Sequence, residues 1–326
     1  MRYYLRYGVD LKEREEFTFS PVNFGVVLHA VIREVCDEIK KNGESYYLIS
    51  EEKRREMVKR SVAAITDIYQ NSILKDSSRN SFMIKRMEDL ADRTIWAMGE
   101  QLKCGDFVPF VFEHKFNMEV GDGDRKQLMS GTIDRVDICE NGTDVYVRII
   151  DYKTGKKDFN IVKTYYGIDI QLMVYMEAAM KLVAKMRPGK NVIPAGVFYY
   201  NISDPIVSAT TESAEEIEDK IKGELRLKGM VNSDKDIVEK MDNTEGTSLN
   251  IPVSRKADGG FDSRRSKVMN TEQFNMLGRF VDVRAVDTAD RIAGGDIRRS
   301  PYKDGQFSSC DRCPYGAVCG LSLIHI

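Results

Sequence analysis

The chain has 326 residues, 42% of them hydrophobic and 31% charged, with a formal net charge of −2. That is enough apolar material for one large domain or two ordinary ones, and too little positive charge for a basic nucleic-acid coat. No apolar run is long enough to span a bilayer, and the opening MRYYLRYGVD has no signal-peptide core, so a cytoplasmic protein is expected.

Residues 1–20 mix Tyr3, Tyr4 and Tyr7 with the charged stretch LKEREEFTFS, and Pro21 and Asn23 open a helix. Phe24, Leu28, Val31, Val35 and Ile39 follow at helical spacing, with His29 on the flank of that stripe. A lone histidine there reads as structural more readily than catalytic. Residues 51–104 read as two more helices, broken near Lys75-Asp76-Ser77-Ser78. The second carries the stripe Met83, Met87, Leu90, Ile95, Met98 and Leu102, and stops at Gly105. The segment VPFVFEHKF (108–116) reads as a strand. Its His114 suits a sheet edge, and its Glu113 is left open.

After the loop GDGDRK comes GTIDRVDICENGTDVYVRIIDYKTG, from Gly131 to Gly155. Asn141-Gly142 is a hairpin-turn dipeptide between two β-like runs. Strand alternation points Asp151 and Lys153 one way and Tyr152 the other. Asp134 lies in the partner strand, so two carboxylates and an ammonium can meet on one side of a small sheet. Two carboxylates hold a Mg²⁺ ion, with water and a phosphate oxygen completing it, and a lysine beside them orients water or stabilises charge on phosphorus. That chemistry is phosphodiester hydrolysis; the plainer alternative is a charged hairpin with a solvated end. Arg135, Arg148, Lys153, Lys156, Lys157 and Lys163 gather nearby, which composition alone reads as a solvated face. Asp137 falls on the opposite strand face from Asp134.

A long helix is predicted from about Asn160 to Met186. Gln171 and Tyr175 share one face, and Leu172, Met176, Ala179 and Val183 form its buried stripe. VIPAGVFYYNI (192–202) is another strand. Strand, strand, helix and strand around one candidate site define an α/β domain with a small mixed sheet. Residues 203–268 are polar, with an acidic helix over 213–225 and a loop through Gly259-Gly260. A last helix spans Thr271 to Ala293, with Phe274, Leu277, Phe280, Val281 and Ile292 inward and Gly294-Gly295 after it. Near the end, Cys310, Cys313 and Cys319 fall within ten residues, which suits zinc or an iron–sulfur cluster. Such sites take four ligands, so the fourth is Cys36, Cys104 or Cys139, or lies outside this sequence.

GTIDRVD, IIDYKTG and QLMVY in this order resemble the RecB-type nucleases of the PD-(D/E)XK superfamily, whose core is a small mixed sheet flanked by helices. The resemblance implies that His29 is the helix-borne histidine of the metal site and Asp134 the first metal carboxylate. It makes Asp151 and Lys153 the D-x-K pair, and Gln171 and Tyr175 the Q-x₃-Y helix motif. Mg²⁺ would then sit on His29, Asp134, Asp151 and the carbonyl of Tyr152. Lys153 would position the water, and Arg135, Lys156 and Lys157 would contact phosphates of single-stranded DNA. YLRYGVDLKERE, FGVVLH, VFYYNISDP, GDIRRSPY and the cysteine tail also resemble the nuclease part of the bacterial AddAB (RexAB) helicase–nucleases, over almost the whole chain.

That second resemblance implies a DNA exonuclease domain within an ATP-dependent complex that processes double-strand ends for recombinational repair. It implies an AddA-like helicase–nuclease partner in a heterodimer, and a 4Fe–4S cluster stapling the two ends of the domain. The family's first cluster cysteine precedes the YLRYG segment. This chain starts Met1-Arg2-Tyr3-Tyr4, so it is expected to lack that ligand; it also has no ATP-binding P-loop pattern. The divisions expected are 1–105, helical and bearing His29; 106–202, the catalytic core; 203–320, ending in the cysteines; and 321–326, LSLIHI, a tail without function. A stand-alone Cas4-like exonuclease is the nearest alternative, opposed by segment 203–268 and the YLRYG opening. A silent DNA-binding or scaffolding module is opposed by the intact Asp134, Asp151 and Lys153; a structural zinc module is the third alternative.

Overall fold

The run DVYVRIIDYK, Asp144–Lys153, is buried at every position except its two ends. A strand buried on both faces needs cover on each side, and this one lies inside a six-stranded sheet. The structure is a computed structural model and describes residues 21–69, 78–120, 126–208, 212–296, 301–305 and 307–311. The YLRYG segment, most of the GDGDRK loop, Cys313, Cys319 and the LSLIHI tail fall outside those residues.

The strands are β1 (Val108–Val120), β2 (Gln127–Asn141), β3 (Asp144–Lys153), β4 (Asn191–Asn201), β5 (Lys228–Asn232) and β6 (Val268–Met269), neighbours in that order. β1 pairs antiparallel with β2 and β2 antiparallel with β3; β3 and β4 are parallel, β4 and β5 antiparallel, and β5 and β6 parallel. The mixed sheet and α/β class agree with the sequence. The turn between β2 and β3 holds Gly142 at φ 59°, the left-handed value the Asn-Gly signal calls for.

Helices cover both faces. On one lie α1 (Pro21–Lys41), α2 (Glu51–Tyr69) and α3 (Ser78–Lys103). Their buried stripe, including Leu28, Val31, Val35, Met87, Ile95 and Met98, meets Tyr146, Ile150, Tyr152, Phe198 and Tyr200 of the sheet. The parallel step from β3 to β4 needs a crossover, supplied by α4 (Ile161–Tyr165) and α5 (Gln171–Met186). On that second face Leu172, Met176, Ala179 and Val183 pack with Val145, Val147, Ile149, Val197 and Tyr199.

The single helix expected from Asn160 to Met186 is therefore two. Asn160 caps the first by accepting from the Lys163 amide. Gly167, at φ 74°, then closes it, with the Gly167 and Ile168 amides returning to the Thr164 and Lys163 carbonyls. β1 runs four residues beyond the expected end, to Val120.

The polar stretch 203–268 holds more order than its composition suggests. The expected acidic helix is α6 (Ala214–Glu224), with a Ser213–Glu216 capping box. β5, α7 (Lys235–Met241) and β6 were not expected. β5 gains its place because Gly229 lets it approach β4 closely: a Cβ there would overlap the Val197 carbonyl oxygen. Asn232 fastens its far end, donating to the Pro194 carbonyl at 2.7 Å and to Thr271 Oγ1 at 2.8 Å. The last long helix, α8 (Thr271–Ala293), buries Phe274 and Val281 on the α5 face. Ile292 falls outside the described side chains. Among the described residues no helix is long and apolar enough to cross a membrane.

Candidate active site

In open α/β sheets ligands gather at the carboxyl ends of the parallel strands, where the crossovers leave. Asp151, Tyr152 and Lys153 are the last residues of β3. Alternation puts Asp151 and Lys153 on the α5 face and Tyr152 on the α1 face. Asp151 is 1% exposed, and its Oδ2 lies 2.5 Å from Lys153 Nζ. The same ammonium stands 5.7 Å from the centre of the Tyr199 ring.

β2 pairs with β3 only as far as Arg135 opposite Ile150. One residue further, Asp134 Oδ2 accepts from the Tyr152 amide at 2.6 Å, so a side-chain oxygen stands where a ladder carbonyl would. Asp134 Oδ1 then faces His29 Nδ1 at 3.5 Å. His29 is delivered by α1, which buried Leu28 and Ile32 press onto the sheet. Its ring meets the Tyr152 ring edge-on at 5.8 Å.

A third carboxylate joins from β1. Glu113 lies across from Asp134 in the β1–β2 register, between the Phe112–Arg135 and His114–Ile133 pairs, and its Oε1 is 3.4 Å from His29 Nδ1. Glu113 has φ 47°, the one positive φ at a non-glycine among the described residues. Such backbone costs about 1–3 kcal/mol and concentrates at functional sites. His29, Glu113 and Asp134 each offer a ligand atom, all within 4.8 Å of one another. Asp151 stands just beyond that group.

The site draws positive charge. Burial opposes protonation of His29, yet hydrogen bonds to Asp134 and Glu113 overcome it and lift the imidazole to about 10. Burial, and then the charge of Asp134, push Asp151 up to about 6 against the pull of Lys153. Carboxylate oxygens with one imidazole suit a hard divalent cation such as Mg²⁺ or Mn²⁺, which would relieve this crowding. The residues present thus fit a metal.

Gln171 and Tyr175 stand at the start of α5, with Gln171 Nε2 donating to the Tyr175 hydroxyl at 2.9 Å. The Tyr175 ring packs edge-on against Phe116 at 5.7 Å. Burial raises its phenol, and the charges of Asp151, Asp134 and Glu113 add to the rise, so the motif borders the carboxylates.

Arg135 corrects the expected phosphate contacts. It is 1% exposed, and its Nε and Nη2 each lie 2.7 Å from an Asp137 oxygen. The strand turns it inward beneath α1, so it has no route to a phosphate. Asp137, on the face away from the site as expected, also accepts from Arg148 Nε at 2.8 Å. Lys157 is committed too, 3.0 Å from Asp169 Oδ2, while Tyr199 donates to Asp169 Oδ1 at 2.7 Å. Lys156 is exposed.

Glu113 is the site residue that sequence reasoning left open. Its signal was an acid in a strand that pairs with the Asp134 strand, but the turn of its backbone was not legible. Of the cysteines, Cys310 is exposed, just after the β7 (Lys303–Asp304) and β8 (Phe307–Ser308) hairpin. Cys36 and Cys139 are buried in the α1-side core, and Cys104 donates to the Glu100 carbonyl. Burial raises all three thiols, against the thiolate that a cluster ligand must be.

The strand-borne D-x-K pair, the acid on the neighbouring strand and the helix-borne histidine define a nuclease-type site. The profile of the PD-(D/E)XK nuclease superfamily matches residues 1–320, and the chain belongs to that superfamily. It is 33% identical over 97% of its length to a subunit of the ATP-dependent helicase/deoxyribonuclease of Thermoanaerobacter sp. (strain X514). It is 34% identical, over the same share, to the subunit of that name from Caldanaerobacter subterraneus subsp. tengcongensis, and 33% identical to that of Clostridium botulinum (strain Hall). The chain spans 28% of the length of each of these relatives.

Proposed function

We propose that the chain is the Mg²⁺-dependent DNA exonuclease domain of an ATP-dependent helicase–nuclease that processes double-strand DNA ends for recombinational repair. The observation that carries this reading is the meeting of His29, Asp134, Asp151 and Lys153 at the carboxyl end of β3. The names of the relatives, subunits of an ATP-dependent helicase/deoxyribonuclease, support the helicase–nuclease setting and a partner subunit. A single strand from an unwound end as substrate and an AddA-like partner in a heterodimer belong to the same proposal. His29, Asp134, Asp151 and the Tyr152 backbone would hold the metal, and Glu113 joins them from the geometry. A bound divalent cation supplies Lewis acidity and an acidified water.

The chain's own groups do the rest. Asp134, fixed by the Tyr152 amide, and His29, fixed against the Tyr152 ring, present their atoms without further reorganisation. Lys153 orients the attacking water and stabilises charge growing on the phosphate oxygens. Gln171 and Tyr175 brace the carboxylates from α5. Lys156 meets a backbone phosphate directly, and Lys157 does so on exchanging Asp169 for it. A 4Fe–4S cluster on Cys310, Cys313 and Cys319 belongs to the same proposal, supported by three thiols in one short stretch.

The test is cleavage of end-labelled single-stranded DNA. Mg²⁺ should support it and EDTA abolish it. Asp151→Asn and Lys153→Ala should each lower the rate by at least about 10²-fold, the scale of a lost transition-state contact. Undiminished cleavage by Asp151→Asn would overturn the assignment.

A further inference from the structure

We propose that the groove between α3 and the turn after Lys153 is a track for single-stranded DNA, with Arg86, Lys156 and Lys228 on its phosphates and Phe82 under a base. The inference rests on the nuclease reading and adds the course of the strand away from the reacting phosphate.

The groove holds about 1250 Å³ and begins at Thr154, the residue after Lys153, continuing along Gly155, Lys156 and Lys157. α3 forms one wall, and the end of β4 with the segment to Ile206 forms another. The turn at its mouth has a set shape: Asn201 accepts from the Lys157 amide at 2.9 Å and donates to the Lys157 carbonyl at 3.0 Å. A Cβ on Gly155 would meet nothing within 4 Å, so the backbone there is open to a bulky ligand.

Several charges in the lining are already paired. Lys85 pairs with Asp89 at 2.8 Å, Lys157 with Asp169 at 3.0 Å, Asp158 with Lys267 at 2.6 Å, and Asp204 with Arg93 at 3.0 Å. Arg86, Lys156 and Lys228 have no ion-pair partner among the described residues, and a single unpaired carboxylate, Glu224, shares the lining with them. On a chain of net charge −2 this is a local positive stripe. Along it, Phe82 is 63% exposed and Ile206 fully exposed. Phosphate-binding cations beside apolar faces match a single strand, whose bases are free to stack; a duplex hides those faces.

Binding is measured by anisotropy in EDTA, with a fluorescent oligo-dT of about 12 nucleotides, a length within the usual single-strand site sizes. The triple variant Arg86→Gln, Lys156→Gln, Lys228→Gln should bind at least about tenfold more weakly. Its salt slope should be shallower by about 2, from three lost phosphate contacts. The same number of charges removed at Lys181 and Lys185 of α5 and at Lys190 just before β4, towards the other end of the sheet, should change binding by less than about twofold. In the unaltered chain an iododeoxyuridine oligonucleotide should photo-cross-link to Phe82, and Phe82→Ala should remove that product.

Binding by the triple variant within twofold of the unaltered chain, with the same salt slope, overturns the track, as does cross-linking confined to other surfaces. These results separate from the nuclease reading because EDTA suppresses cleavage. A chain that cleaves with Mg²⁺ but binds without the groove loses only the track. A chain that binds through the groove but never cleaves loses only the nuclease assignment.

Discussion

Behind the candidate active site, on the α1 face, Arg135, Asp137 and Arg148 form a charge cluster with no exposed member. Burial alone would raise Asp137, but the two guanidiniums overcome it and hold the carboxyl below its usual range. Asp137→Asn leaves both guanidiniums buried without a counter-charge, so it should cost about 3–5 kcal/mol in denaturant unfolding. The sign with pH follows from the depressed folded value. Asp137 contributes fully above its unfolded pKa of about 3.9, and that contribution fades as pH falls through the folded value. The unaltered protein should therefore lose more stability on acidification than the variant. At the site itself, Mg²⁺ should raise the melting temperature, with a gain of about 2.7 kcal/mol at one hundred times its dissociation constant. Asp134→Asn keeps an oxygen for the Tyr152 amide and removes the charge, so it should fold yet lose most of that rise. An equal Mg²⁺ shift in the variant would remove Asp134 from the metal site.

At the scale of elements, the decisive unit is β3, α5 and β4, which brings Asp151, Lys153, Gln171 and Tyr175 to one end of the sheet. Its strands were legible because β3 and β4 are apolar over most of their length, and because Asn141-Gly142 names the turn that opens β3. The break at Gly167 was not legible, since apolar residues on both sides keep a helical spacing. β5 and β6 are five and two residues long, below the length at which a period declares itself. They form because a neighbour is waiting: Gly229 slots against Val197. Gly229→Ala should thus destabilise by more than the about 1–3 kcal/mol of ordinary overpacking, since the obstacle is backbone. Thermal unfolding would show it, and an unchanged melting temperature would contradict the close approach.

For the whole molecule, two apolar cores clamp one sheet, and the site sits where three separate segments of chain meet at the carboxyl end of β3. α1 brings His29, the β1–β2–β3 meander brings Glu113, Asp134, Asp151 and Lys153, and α5 brings Gln171 and Tyr175. If the proposed cluster ties the far end of the chain to this body, Cys310→Ser should lose iron and the visible charge-transfer absorption together. A purified protein with neither iron nor that absorption before substitution would remove the cluster from the proposal.

Local spacing dictates strand faces and helix faces, so the convergence of Asp134, Asp151 and Lys153 and the shared helix face of Gln171 and Tyr175 were readable from residues alone. So were the α/β class and the small mixed sheet. His29 was joined to those residues only by the resemblance to RecB-type nucleases. Only the tertiary structure decided the rest, because those facts concern which segments meet. It brought Glu113 to His29 through a left-handed backbone position. It buried Arg135 against Asp137, since strand alternation puts Arg135 on the face opposite Asp134 but only the packing of α1 shows that face to be closed to solvent. It also left Arg86, Lys156 and Lys228 without an ion-pair partner among the described residues along one groove, although they are far apart in sequence. Strand period assigns a face; only the packed neighbours say whether that face meets solvent, a counter-charge or a ligand.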